Sequence, residues 1–498
     1  MRKISATMVS QHPDHAHKPH WHHSPFIRTQ DEIYEAHHSF FDLGSSEYKW
    51  DWEGKFVDEA VVERLLSEYY DDFKEQPLGK EKFLTFRLPN PKVETEFRLG
   101  RAFMGILGAA GLAEQAGLHP PLFEVILPMT ETSQEMIDIQ EAYQEMTGLK
   151  HPLLKVETGR LKDLELIPLF EQVDVILNSD KVVQEYLDYY QSRFKRQLEY
   201  IRPYVARSDP ALNSGLVPTV LSIKVALGKY SKLPIPSYPI IGSASLPFRG
   251  GLTPLTVEQF ANEYKGIRTA LIQSAFRYDY PHELVKQAVA RMENIFPSYQ
   301  AVVINDHDEK LIREAIPVFE QQYQPVIEQI ADVINMIAGS LPKRRERVQH
   351  VGLFGYSRGV GKVKLPRAIG FTAALYSIGV PPELIGTGRG LKILKESHPE
   401  AYDVVLKYYI NLEHDLQRVA RFVNKDNLAR LTKGNSAWQA VADDIRALES
   451  LLGISFEPDT KEEHNHVQVT SRILSQLDAG ALQQDTLEQA AQLRKSMG

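Results

Sequence analysis

Two carboxylates and a set of arginines stand where apolar runs of the chain stop. The run LIPLFE closes on Glu171 and PYVARSD closes on Asp209. FLTFRLP carries Arg87 near its end, and YPIIGSAS leads into LPFRGG, with Arg249 ahead of Gly250 and Gly251. VQHVGLFG leads into YSRGVGKVKLPR, which holds Arg358, Lys362, Lys364 and Arg367. Neighbouring strands lie about 4.8 Å apart, so two carboxylates ending consecutive strands can share one small cation. Magnesium takes one or two protein carboxylates and leaves its other positions to water and substrate oxygens. Taken singly, each carboxylate reads first as a helix N-cap or a surface salt bridge, and only the adjacent pair reads equally as a cation site.

The arginines point to an anion. A buried guanidinium without a partner costs several kcal/mol, and an exposed ion pair returns at most about 1 kcal/mol. Arginines gathered at one mouth therefore ask for anions, which a phosphorylated, carboxylated substrate supplies through bidentate contacts. Gly250 and Gly251 would let backbone N–H groups approach a phosphate, although a tight surface turn needs the same residues. The stretch from Tyr356 to Pro366 is basic and glycine-punctuated, as suits a loop that covers an anion. It lacks the GxxxxGK[ST] order of a P-loop.

Six histidines fall between His12 and His23 in SQHPDHAHKPHWHH. The later ones read as a solvated arm or as adventitious metal binding through His20, His22 and His23. His12 differs, because it follows directly on the strand-like SATMVS. A histidine at a strand end can move a proton near neutral pH or steady an anionic intermediate.

What must position these groups is a set of buried strands. Apolar runs recur at Phe83–Pro89, Phe123–Met129, Leu166–Phe170, Pro203–Asp209, Tyr238–Ser245 and Val348–Gly355. Weaker ones are SATMVSQ and Arg268–Phe276. They are continuous rather than alternating, as expected of strands covered on both faces. Amphipathic stretches lie between them, at Ser133–Met146, Val182–Tyr200 and Glu258–Tyr264. Eight such strands predict an α/β fold, a TIM-like (β/α)8 barrel, with an open doubly wound sheet as the alternative. After residue 380 the pattern turns helical. We expect residues 1–380 to form the catalytic barrel region, and 381–498 an α-helical region packed on it for assembly, with a polar, fraying end.

Composition removes other classes. The 498 residues carry a net charge of −8 and no basic block, which argues against a nucleic-acid or anionic-membrane partner. The absence of cysteine excludes disulfides, thiolate metal sites and a cysteine nucleophile. The longest apolar stretch, Ala102–Ala113, has 12 residues and three glycines, against roughly 18 for a bilayer span. No secretory signal precedes the first strand. A cytoplasmic protein is expected.

SQHPD, LPMTET, PLFE, ARSDPALNSG, SLPFRGGLTP and LPRAIGFTAALYSIGVPPELIGTGRGL, in that order, resemble the archaeal-type phosphoenolpyruvate carboxylases. The resemblance runs from about residue 8 to residue 391. It implies a tetrameric barrel enzyme that joins bicarbonate to phosphoenolpyruvate, giving oxaloacetate and phosphate with Mg2+ or Mn2+. Residue by residue, Glu171 and Asp209 resemble the metal ligands, Arg249 and Arg367 phosphate-binding arginines, with Arg358 another just upstream. Arg87 resembles the arginine ending the second strand, and His12 the histidine of an HP motif. Leu212 departs from the larger enzymes, which place lysine there, and a single Arg-Gly-Gly unit replaces two.

The implied chemistry is anaplerotic. Phosphoryl transfer to bicarbonate gives carboxyphosphate and a metal-bound enolate, which then captures carbon dioxide. Another barrel lyase or phosphotransferase acting on phosphoenolpyruvate or pyruvate enolate would use the same parts. A non-catalytic, histidine-rich metal-binding protein is the alternative from a different class.

Overall fold

The computed structural model describes residues 2–53, 57–94, 97–149, 161, 163–346, 358–360 and 363–498. Eight short strands close into a barrel. They are β1 (Thr7–Ser10), β2 (Glu47–Asp51), β3 (Phe83–Arg87), β4 (Glu124–Leu127), β5 (Glu165–Phe170), β6 (Tyr204–Val205), β7 (Ile240–Ile241) and β8 (Thr269–Ile272). Each pairs in parallel with the next, and β8 returns to β1 through Thr7↔Ala270 and Met8↔Leu271. The predicted (β/α)8 architecture is what folds, with helices outside the strands.

Seven of the predicted runs supply β1 and β3 to β8. The eighth strand is not Val348–Gly355, which lies outside the described residues, but β2. Its sequence, EYKWD, is charged at every other position. Tyr48 and Trp50 join the main apolar core, while Glu47 and Asp51 pair with arginines, which is why a search for continuous apolar runs passes over it. Met8, Ile126, Ile167, Leu169, Tyr204, Ala206, Ile240 and Leu271 form a separate apolar cluster contributed by barrel strands.

A buried ionic cluster closes the N-terminal end of the barrel. The Arg202 guanidinium donates to Glu47 at 2.8 Å, to Glu124 at 2.6 Å and to the Thr269 hydroxyl at 3.0 Å. Three strand starts are thereby tied through one cation. Charges at this end serve stability, because barrel chemistry belongs to the opposite, C-terminal face.

Beyond the barrel, the 34-residue helix Asp306–Gly339 forms a spine. Helices Ala368–Ser377, Thr387–Ser397 and Pro399–Tyr408 pack on it. Gly390 sits where a Cβ would overlap the Phe319 ring, so only glycine permits that close crossing. Helices continue through Lys461–Asp478 and Gln484–Leu493. The expected frayed end is instead docked. Met497 N–H donates to the Asp14 carbonyl at 2.6 Å, and Ser496 and Met497 are buried. Among the described residues no single helix is long and apolar enough to cross a membrane.

Candidate active site

A cavity of about 90 Å3 opens at the C-terminal ends of the strands. His12, Arg87, Glu171, Asp209, Arg249 and Arg367 all line it. Six sequence-predicted residues, scattered over 356 positions of chain, thus share one mouth because the parallel barrel brings every strand end to the same face.

Glu171 follows β5 directly, and Asp209 lies in the first turn of the helix Ser208–Ser214 that follows β6. Because β5 and β6 are hydrogen-bonded neighbours, the two carboxylates sit side by side. Both also line a second, smaller cavity with Thr130 and Asn213. Oxygen-only donors in a pair, with open space on both sides, fit a hard cation that keeps water and substrate among its ligands.

Arg249 is buried in the turn Pro247–Arg249 after β7. Its guanidinium donates to Ser208 Oγ at 3.2 Å, Asp14 Oδ2 at 3.4 Å, Gln273 Oε1 at 2.7 Å and the Gly498 oxygen. Burial lowers the Arg249 pKa, while Asp14 and Asp209 act in the opposite direction. Burial also lifts Asp14 from 3.8 to about 6 against the pull of Arg249.

The turn itself is gripped from two sides. Arg207 donates to the carbonyls of Pro247 at 3.1 Å and Phe248 at 3.2 Å. Glu383 accepts from Phe248 N–H and from Tyr376 hydroxyl, each at 2.8 Å. Burial raises the Glu383 carboxyl from 4.5 to about 7. Arg207 and Glu383 are positioning residues that the sequence reading passed over, though both lie in motifs it singled out.

Two expectations from the sequence do not hold. Arginines at the mouth were expected to need substrate anions to offset their burial, yet the protein supplies counter-ions. Arg87 forms a fork with Asp51 at 2.7 Å on both bonds and meets Glu53 at 2.6 Å. Gly250 and Gly251 were expected to offer N–H groups to phosphate. Their N–H groups are spent inside the turn, on Pro247 and Leu246 carbonyls, each at 3.0 Å. With φ of 125° and 76°, they serve to reverse the chain so that Arg249 points inward.

His12 sits at the end of β1, its Nδ1 2.9 Å from the Ser10 hydroxyl. The Ser274 hydroxyl donates to its carbonyl at 2.6 Å. Arg367 precedes the helix Ala368–Ser377 and is half-buried. Arg358 begins the strand β9 (Arg358–Val360), which pairs antiparallel with β10 (Val363–Leu365). The Arg358 side chain and much of the expected covering loop, residues 356–357 and 361–362, lie outside the described residues. The histidine-rich segment is a solvated arm only in part, with His17, His20 and His23 exposed. His15 is fully buried with Nε2 2.7 Å from the Pro25 carbonyl, and burial lowers its pKa to about 3.

Comparison with known proteins follows the same lines. The sequence profile of the phosphoenolpyruvate carboxylase family matches residues 4–498. A phosphoenolpyruvate carboxylase of Leuconostoc mesenteroides is 36% identical over 504 residues, covering 100% of this chain and 99% of the relative. One from Metallosphaera sedula is 36% identical, covering 100% and 98%. One from Pyrococcus horikoshii is 40% identical, covering 84% and 88%.

Proposed function

The chain belongs to the phosphoenolpyruvate carboxylase family, in its archaeal-type branch, and on that premise we propose how its cleft joins bicarbonate to phosphoenolpyruvate to give oxaloacetate and phosphate. The observation that carries the reading is one small cavity lined by two adjacent carboxylates, at least three arginines and a strand-end histidine. Its size suits a substrate of a few carbons.

Glu171 and Asp209 would hold Mg2+ or Mn2+, which when bound supplies a Lewis acid for the carboxylate and enol oxygens of the substrate. Arg249 and Arg367, together with Arg358 as the resemblance implies, hold the phosphoryl oxygens. Phosphoryl transfer is helped almost wholly by positioning and charge, so preorganised guanidinium groups are the main requirement. The phosphoryl group competes with Asp14 and the Gly498 oxygen for the Arg249 donors. A bicarbonate oxygen forms the new bond to phosphorus, and the bond from phosphorus to the enol oxygen breaks. Carboxyphosphate and the enolate of pyruvate result.

His12 accepts the carboxyphosphate proton as that species divides into carbon dioxide and phosphate, its ring held through Nδ1 by Ser10. The enolate methylene carbon then bonds to carbon dioxide. Water must stay out, since a protonated enolate ends as pyruvate. Buried Arg249 and the docked chain end at Ser496 and Met497 support a closed, dry wall on that side.

We read the enzyme as an anaplerotic, cytoplasmic homotetramer, with the helices after residue 380 as its assembly region. A coupled oxaloacetate assay tests the activity, run with and without bicarbonate and with a chelator. Turnover that needs both bicarbonate and divalent cation, and no nucleotide, supports the carboxylase. Turnover independent of bicarbonate supports a lyase or phosphotransferase on the same scaffold.

A further inference from the structure

The histidine-rich segment keeps one feature that the carboxylation chemistry does not use. His20 Nε2 and His38 Nε2 face each other at 2.7 Å. His38 Nδ1 lies 3.2 Å from Asp42 Oδ2, and His282 Nε2 lies 2.5 Å from the same oxygen. The His20 and His282 rings are 4.0 Å apart between centroids. Three separate pieces of chain meet here: the segment after β1, the helix Glu32–Phe41 with its cap Asp42, and the start of the helix His282–Ile295. None of the four residues lines the catalytic cleft.

One donor atom each from His20, His38 and Asp42 lies within 4.8 Å of the others, and among the described residues no other group of three or more does so. We propose that His20, His38 and Asp42, with His282 holding the Asp42 carboxylate from outside, form a second divalent-metal site, built for a nitrogen-preferring transition ion of the zinc class. Imidazole donors with one carboxylate suit Zn2+, Co2+, Ni2+ or Cu2+, whereas oxygen-only sets suit Mg2+. The two sites of this chain therefore divide the cations between them by donor chemistry.

The geometry needs one side chain to move. Bonds of 2.0–2.1 Å at a tetrahedral ion place ligand atoms about 3.3 Å apart, the spacing that His38 Nδ1 and Asp42 Oδ2 already have at 3.2 Å. His20 must swing in from the Nε2 side of the His38 ring, and water fills the fourth position. His20 is exposed and free to make that movement, while His38 is buried and anchored by its helix. The site also explains what an otherwise awkward cluster of imidazoles is for. An ion there would strap the segment that carries His12 and Asp14 to the outer helices. Lys286 Nζ, 3.9 Å from Asp42 Oδ1, is the competing cation, and it is weakly placed.

Co2+ is the probe, because four-coordinate nitrogen-rich sites give it intense ligand-field absorption that octahedral oxygen sites lack. Chelator-treated protein in excess Mg2+ is titrated with Co2+, and metal content is counted after gel filtration. The expected result is about one tightly held Co2+ per chain with tetrahedral absorption. That absorption is lost in His20→Gln and in Asp42→Asn, both exposed positions with native circular dichroism as the control, and is retained in Asp209→Asn. Absorption unchanged in His20→Gln, or missing from the unaltered protein, overturns the proposal. So does absorption that disappears with Asp209→Asn, since it then belongs to the carboxylate pair.

Discussion

Replacing Arg249 by alanine removes four contacts at once, and their consequences separate by assay. The first is chemical. Loss of one preorganised charge-stabilising donor typically raises a barrier by about 3–4 kcal/mol, so kcat should fall roughly 100- to 1,000-fold. The second is electrostatic and concerns Asp14, the buried carboxylate 3.4 Å away. Its rise from 3.8 to about 6 corresponds, at 1.36 kcal/mol per tenfold change, to about 3 kcal/mol of cost in the charged form. A carboxyl raised on folding contributes its full stability below the unfolded value, near pH 4, and loses it as pH climbs through the folded value, near pH 6.

Without Arg249 the main favourable partner is gone, so the folded value climbs further and the loss extends above pH 6. Arg249→Ala should therefore show a larger stability deficit against the unaltered chain at pH 8 than at pH 5.5. Urea melts at both values read this, alongside the coupled oxaloacetate assay. Arg249→Lys restores charge near Asp14 and should recover much of the pH 8 stability while remaining far below normal in turnover. Near-normal turnover of folded Arg249→Ala refutes the assignment, and a deficit that shrinks at high pH refutes the electrostatic account.

Asp209→Asn should raise the Mg2+ or Mn2+ concentration for half-activity by roughly tenfold or more, whereas an unchanged cation titration removes it from the ligand set. His12→Asn should depress oxaloacetate formation more than phosphate release, since enolate that misses carbon dioxide is protonated to pyruvate. Equal losses would separate His12 from the second half-reaction. Gly498→Ala should lower both thermal stability and turnover, because a Cβ there would overlap the Ile369 carbonyl and displace the oxygen that Arg249 contacts. Unchanged kinetics would show that this contact is incidental.

The barrel was legible because most of its strands are covered on both faces and therefore read as continuous apolar runs. β2 was not, since Glu47 and Asp51 are buried against arginines rather than exposed, and a pattern of charge every second residue reads as solvent. The site residues at strand ends were legible for a topological reason: parallel strands deliver their ends to one mouth. The partners that neutralise and aim those residues were harder to find. Asp51 and Glu53 against Arg87, and Glu383 beneath the turn of Arg249, are contacts across 34 to 135 residues of chain, which no local pattern encodes. The two glycines misled because a turn and an anion nest share the same composition. His15 departs from the solvated reading of its segment because its burial depends on elements that pack over it.

The proposed mechanism requires this cleft to pass the phosphoryl group to bicarbonate before the carbon–carbon bond forms. Turnover with bicarbonate carrying 18O at all its oxygens tests this most directly, by mass spectrometry of the phosphate and oxaloacetate released. One labelled oxygen in each phosphate and two in the new carboxylate are predicted, because the attacking oxygen stays on phosphorus when carboxyphosphate divides. Unlabelled phosphate would contradict the account.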